Sequence, residues 1–161
     1  MAPPARLLAY LRAHDVEAEI VAPGVPMPTV PAAAAAIGVR EAQILKSLLF
    51  AGRDGCLVLA IACGPARISR ERLARVAGLE RPRLAHPDVV LAATGYPAGG
   101  VPPIAHATPL PVVMDRRAAA LDVAYGGAGA EEFLLRIRPA DILRLTGGIV
   151  ADLVGEDGGD S

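Results

Sequence analysis

The sequence predicts an α+β fold, a mixed and mostly antiparallel sheet surrounded by short helices. Three observations carry that expectation. Apolar residues gather in runs of strand length, several short helical stretches close on a glycine, and no regular strand–helix–strand repeat connects them. At 161 residues the chain suits one domain, expected over residues 1–154, with a core that needs neither disulfides nor metals.

Leu7, Leu8 and Leu11 share a helical face within residues 4–13, with proline where a first turn tolerates it. Residues 16–21 alternate apolar with Glu17 and Glu19 as a half-exposed strand does, and Pro23, Gly24, Pro26 and Pro28 then open a loop. Thr29 can cap an alanine-rich helix that runs to Ile37 and stops at Gly38. Residues 44–50 and 57–62 read as strands joined by a turn at 52–55. Ser69 caps a helix to Ala77, closed by Gly78, and Pro87 opens another that ends at Gly95.

Residues 95–111 hold five prolines and three glycines, too many for regular structure, yet the stretch is too apolar for a disordered linker. An ordered, stiff loop is expected there. Residues 110–114, 123–125 and 133–137 are strand candidates, and Pro139 opens a last helix reaching Leu145. The tail at 155–161 is acidic and glycine-rich and is expected to be disordered.

Composition bounds the function. Apolar runs are far too short to span a bilayer, and the N-terminus lacks the continuous apolar centre of a secretory signal, so no membrane partner and a cytoplasmic location are expected. A net charge of −1 argues against a chain that coats DNA or other nucleic acid, since such binding needs many phosphate-neutralising cations; a partner with a small footprint stays open. Cys56 and Cys63 match neither a metal pair nor a secreted disulfide framework and are expected to be reduced core-filling thiols. His14, His86 and His106 have no second ligand at zinc-motif spacing, so no metal and no cofactor is expected.

The cations are fifteen arginines and one lysine, Lys46. Strand alternation puts Lys46 on a face with Ile44, Leu48 and Phe50, where a cation is costly unless paired or facing a ligand. A compact ammonium suits a tight pocket for a phosphate or carbonyl oxygen better than a guanidinium fork. An edge lysine whose stem packs while its head reaches water is the structural alternative. Gly99, Gly100 and Val101 offer amides that could cradle an anion or a developing oxyanion, held stiff by Pro102 and Pro103; a plain turn is the alternative. Arg67, Arg70, Arg72, Arg75, Arg81 and Arg83 form a basic stretch that reads either as a solvated helix face paired with Glu71 and Glu80 or as a contact to nucleic-acid phosphates. No sequence motif marks a base for Ser47 or Ser69.

In order along residues 13–153, the segments Thr29-Val30-Pro31, Gln43-Ile44-Leu45-Lys46-Ser47-Leu48, Gly95-Tyr96-Pro97-Ala98-Gly99-Gly100-Val101-Pro102-Pro103-Ile104, His106-Ala107-Thr108-Pro109, Gly126-Gly127 and Pro139-Ala140-Asp141-Ile142 resemble the YbaK-like aminoacyl-tRNA deacylase family. That fold is also the editing domain inserted in bacterial prolyl-tRNA synthetases. A strand lysine followed by a GxxxP loop, here Lys46 with Gly99 and Pro103, is its characteristic combination.

The resemblance implies a barrel-like sheet and hydrolysis of the ester joining a wrong small amino acid to the 3′-terminal adenosine of tRNA, with tRNA-Pro and prolyl-tRNA synthetase as the expected partners. An aminoacyl ester is already activated, so a positioned water, a substrate hydroxyl and backbone oxyanion donors suffice. It implies Lys46, Gly99 and Gly100 as catalytic, and Thr29, Ile44, Ser47, Leu48, Val101, Pro103, His106 and Gly127 as substrate-binding. Departures are Ala105, where many relatives have glycine, and the run from Gly126 to Glu132. A non-catalytic tRNA- or synthetase-binding module of the same fold, and a hydrolase of an unrelated small metabolite, are the rival readings.

Overall fold

The computed structural model describes residues 2–155, so the expected disorder of 156–161 lies outside the described residues. Helix α1 (Ala5–Ala13) buries Leu7 completely. Strand β1 (Glu19–Val21) is shorter than the alternation at 16–21 predicts. The Val16 amide returns to the Leu11 carbonyl at 3.1 Å, with Asp15 at φ 49°, so the first half of that stretch closes the helix instead of pairing.

Helix α2 (Val30–Ile37) starts where expected, Thr29 Oγ1 accepting from the Ala32 amide at 3.2 Å, and stops at Gly38 with φ 73°. A 3₁₀ turn (Glu41–Gln43) leads into β2 (Leu45–Ala51) and β3 (Leu57–Cys63). Helix α3 (Arg70–Ala77) is capped by Ser69 Oγ, which accepts from the Arg72 amide at 3.2 Å. Then follow β4 (Arg83–Leu84), α4 (Pro87–Thr94), β5 (Val112–Asp115), α5 (Arg116–Ala119), β6 (Ala124–Gly127), β7 (Leu134–Ile137), α6 (Pro139–Thr146) and β8 (Ile149–Ala151).

The strands form two sheets, one ordered β4-β2-β3-β5-β8 and the other β1-β7-β6. The smaller sheet is antiparallel throughout, while β5 runs parallel to both β3 and β8, so the architecture is mixed α+β as expected. The sheet is not barrel-like. Its two parts stay open and touch through a parallel bridge between Ile44 and Tyr125, and the outer strands β4 and β8 are too short to reach a closing partner.

Strand β3 separates two cores. Leu59 and Ile61 join the main cluster with Leu45, Leu49 and Met114; Val58 and Ala60 join a second with Phe50, Leu73 and Leu153 beneath α3. Burial on both faces explains why 57–63 is an unbroken apolar run. A third cluster, holding Met27, Ala33, Ala34, Ile44 and Leu134, seats α2 over the smaller sheet.

One buried carboxylate ties the C-terminal part down. Asp115 is fully buried and accepts from the amides of Leu153 at 2.8 Å and Arg117 at 3.1 Å. The Arg117 guanidinium reaches both Asp115 and Asp152, and Asp152 also receives Arg72 at 2.7 Å. Arg72 thus pairs across elements, from α3 to the segment after β8.

Both cysteines are free. Cys63 is half-buried, but Cys56 is exposed in the turn beside Asp54, which corrects its expected place in the core: the turn at 52–55 carries it past the end of the sheet. Among the described residues no helix is long and apolar enough to cross a membrane.

Candidate functional site

Lys46 lies half-buried on β2, opposite Ala62 of β3, and its ammonium donates to the carbonyl of Ala66 in the segment entering α3. Desolvation lowers its pKa, and the neighbouring Cys63 partly offsets this. The Cys63 thiol is itself pushed up, chiefly by burial. An ammonium has three donors, so two remain for a ligand after Ala66 is served. Next to it, Ser47 Oγ is buried and has no hydrogen-bond partner.

The 95–111 segment is the ordered loop the sequence predicts. Tyr96 is buried and its hydroxyl donates to the Ala105 carbonyl at 2.8 Å, burial raising its pKa to about 12. Thr94 Oγ1 donates to Val90 O at 2.7 Å, and Thr108 Oγ1 to Ala93 O at 2.7 Å, fastening both ends of the loop to α4. Ala105 has φ 67°, a left-handed conformation natural to glycine, which gives the departure at this position a physical meaning.

Within the loop the two glycines differ. The Gly100 amide donates to Pro97 O at 3.0 Å and its carbonyl accepts from Gly129 at 2.8 Å, so Gly100 holds a turn and its amide is not open to an oxyanion. That revises the expectation of a Gly99–Gly100 amide pair. Among the described residues no acceptor meets the amides of Gly99 or Val101. Gly99 sits exposed at φ 88° with open space where a side chain would be.

Glycines on β6 let this loop lie against the sheet. A Cβ on Gly127 would stand 2.5 Å from Val101 O, and one on Gly126 would stand 3.1 Å from Pro103 Cδ and 3.8 Å from Leu45 Cβ. The loop is therefore linked to β2 through Gly126 and Leu45, one residue from Lys46. Alternation sends the Lys46 side chain to the other face of β2 from Leu45, toward Ala66.

The remaining expected residues divide. His106 supports the loop: its Nε2 is 2.7 Å from Pro102 O, so that nitrogen carries the proton, and burial lowers the ring's pKa. Pro103 and Val101 are buried in the loop's contact with β6. Thr29 is committed to capping α2, and Ile44 to the third cluster beside the Tyr125 bridge, so neither side chain faces an open pocket. Leu48 is half-buried against the second cluster, on the Lys46 side of β2. Sequence reasoning misses Cys63, which the β2–β3 register sets opposite Leu45, next to the Lys46–Ala62 pair, and the Ala66 carbonyl, which no local pattern signals. Among the described residues no three His, Cys, Asp or Glu side chains cluster as metal ligands.

The GxxxP loop packed on β6 thus meets β2 at Leu45, the residue before Lys46, in a mixed α+β fold, and the model of the family described as "Aminoacyl-tRNA editing domain" matches residues 25–145. The chain belongs to the aminoacyl-tRNA editing domain family. This editing domain is 30% identical over 114 residues to "Uncharacterized protein YwhH" of Bacillus subtilis, covering 71% of the chain and 72% of that protein. It is 27% identical over 120 residues to "Putative Cys-tRNA(Pro)/Cys-tRNA(Cys) deacylase EbsC" of Enterococcus faecalis, covering 74% and 73%. Its fold superposes with a TM-score of 0.83 and 33% identity on the structure described as "Crystal structure of a putative trans-editing enzyme for prolyl tRNA synthetase", covering 93% of this chain and 95% of that one. The substrate class of the editing-domain family is aminoacyl-tRNA.

Proposed function

We propose that the protein is a trans-acting deacylase that hydrolyses a small, wrongly attached amino acid from tRNA-Pro in the cytoplasm, on tRNA released by prolyl-tRNA synthetase. The observation that carries this reading is the lone lysine, desolvated on β2 next to the strand position that abuts the 99–103 loop. Lys46 holds the terminal phosphate or the ester with the two donors that Ala66 leaves open. The amides of Gly99 and Val101 face the ester's carbonyl oxygen as charge develops on it, while Gly100 fixes the turn between them.

Water attacks the carbonyl carbon, the tetrahedral oxyanion collapses, and the ribose oxygen leaves with a proton relayed from that water by the neighbouring ribose hydroxyl. The products are the free amino acid and uncharged tRNA. Ser47 Oγ and Val101 border the bound residue on the loop side of β2, Leu48 lies on the other side with Lys46, and methylene-scale differences in that pocket give selectivity of roughly 10- to 200-fold.

The test is deacylation of tRNA-Pro charged separately with alanine, cysteine and serine. Lys46→Met keeps the aliphatic stem and the fold, and is expected to lower kcat/KM about 100-fold or more. Unchanged turnover in folded Lys46→Met removes the lysine's role; absence of cleavage in the wild type on every ester favours the non-catalytic module instead.

A further inference from the structure

Arginines converge on a cleft that ester hydrolysis leaves unused. Its walls are Arg53 from the β2–β3 turn, Arg70, Glu71 and Ala74 along one side of α3, and Arg81, Pro82 and Arg83 entering β4, around a volume of about 690 Å³. The arginines in it differ from the others in the same basic stretch. Arg72 is held by Asp152 at 2.7 Å, whereas Arg70, Arg81 and Arg83 have no carboxylate within ion-pair reach among the described residues. Arg53 meets Glu80 at 3.4 Å with both side chains about two-thirds exposed, a pair that water screens heavily. The wall thus carries four guanidinium groups against one carboxylate, in a chain whose net charge is −1.

The backbone here is rigid. Arg81 adopts φ 47°, although a residue before proline prefers an extended conformation, and Pro82 is buried behind it. The Arg53 amide donates to Glu80 O at 2.8 Å, and Arg83 pairs with Ala51 of β2. Guanidinium groups bind phosphate oxygens in bidentate fashion, which favours arginine over lysine here.

The cleft also lies in register with Lys46. Ala51, beside Arg83, is five strand residues from Lys46, about 17 Å at ~3.3 Å per residue. The Lys46 ammonium meets Ala66, four residues before Arg70. We propose that this cleft holds backbone phosphates of the RNA strand that leads to the aminoacylated end lodged near Lys46. The proposal rests on the deacylase reading for the identity of the RNA, and on the cleft alone for the binding.

The experiment measures binding without any ester, by fluorescence anisotropy of an uncharged acceptor-stem hairpin ending in a single-stranded 3′ tail, across a range of salt concentrations. Arg70→Ala/Arg83→Ala is expected to raise Kd at least tenfold and to reduce the log–log salt slope by roughly 1.4, two phosphate contacts at ~0.7 each. Arg81 is left intact because its backbone is strained. Arg136→Ala/Arg144→Ala, on the smaller sheet and α6, is the control and leaves both quantities unchanged; thermal melts show that each variant is folded. Equal Kd and slope in wild type and cleft variant overturn the proposal, as does inorganic pyrophosphate displacing the hairpin at concentrations near the hairpin's own Kd. Cleft-dependent binding by a protein that cleaves no ester retains the cleft and removes the deacylase, whereas cleavage with cleft-independent binding does the reverse.

Discussion

At the scale of single residues, Ser47 and His106 separate what the site contributes from what the fold requires. A buried hydroxyl with no acceptor costs stability, so Ser47→Ala is expected to leave the protein as stable or up to about 1 kcal/mol more stable, while KM for the aminoacyl ester rises because the substrate loses a partner. Urea unfolding and steady-state kinetics read the two effects separately; a less stable variant with unchanged KM would assign Ser47 to the fold alone.

His106 titrates in the opposite sense to an ion-paired histidine. Burial holds its pKa below the ordinary 6.5, with the Pro102 carbonyl a smaller opposing influence. As pH falls below about 6.5 the unfolded chain takes up the proton first, so stability from this group is complete above that value and is lost as pH drops toward the folded pKa. Unfolding midpoints are expected to fall between about pH 7 and 5 in the wild type and to fall less in His106→Gln, whose amide can still donate to Pro102. Parallel curves for the two proteins would remove His106 as the source.

At the scale of elements, the contact between the 99–103 loop and β6 depends on missing side chains. Gly127→Ala puts a methyl 2.5 Å from Val101 O, and neither partner is a flexible side chain that can yield. Overpacking of this kind costs about 1–3 kcal/mol, and under the deacylase mechanism proposed above turnover is expected to fall with the melting temperature. Gly99→Ala, with open space around it, is the comparison: it strains φ and leaves the loop seated. Equal melting temperatures for wild type and Gly127→Ala would show that the loop is free of β6 in solution.

The same scale shows what the sequence makes legible. Thr29 with Gly38, Ser69 with Gly78, and Pro87 with Gly95 mark helix ends by local chemistry, and the structure has each helix between its marks. Strands β4 and β8 are invisible beforehand because their only support is a partner strand: β4 has two exposed residues, and β8 leaves Ile149 and Val150 half in water, so no alternation points inward. Helix α5 likewise exists because Asp115 accepts the Arg117 amide at the end of β5. In the candidate site, Lys46 stands out as a solitary residue type. The engagement of Gly100 with Pro97 and Gly129, and of Ile44 with α2, depends on folding back that no spacing encodes.

At the scale of the whole molecule, Asp115 is where sheet, helix and C-terminal segment meet. Removing its carboxylate strands the Leu153 amide and unpairs the inner side of Arg117, which is itself half exposed. Asp115→Ala is therefore expected to destabilise the protein by about 2–4 kcal/mol, seen as a lower denaturant midpoint, with β8 losing amide-exchange protection before β2 and β3. A variant that melts with the wild type would dissolve the hub. The arginine cleft and the lysine corner lie at opposite ends of β2, so the larger sheet itself sets the distance between them.

The bond from Asp115 to Leu153 has a temporal meaning too. The two residues are 38 positions apart, which at ribosomal speeds of roughly 5–20 residues per second separates their synthesis by about 2–8 s. Throughout that interval a carboxylate meant for the interior waits on the nascent chain, hydrated and unable to dry out. The larger sheet can lock only after its last strand, β8, has been translated, so its closure trails the synthesis of β5 by that delay.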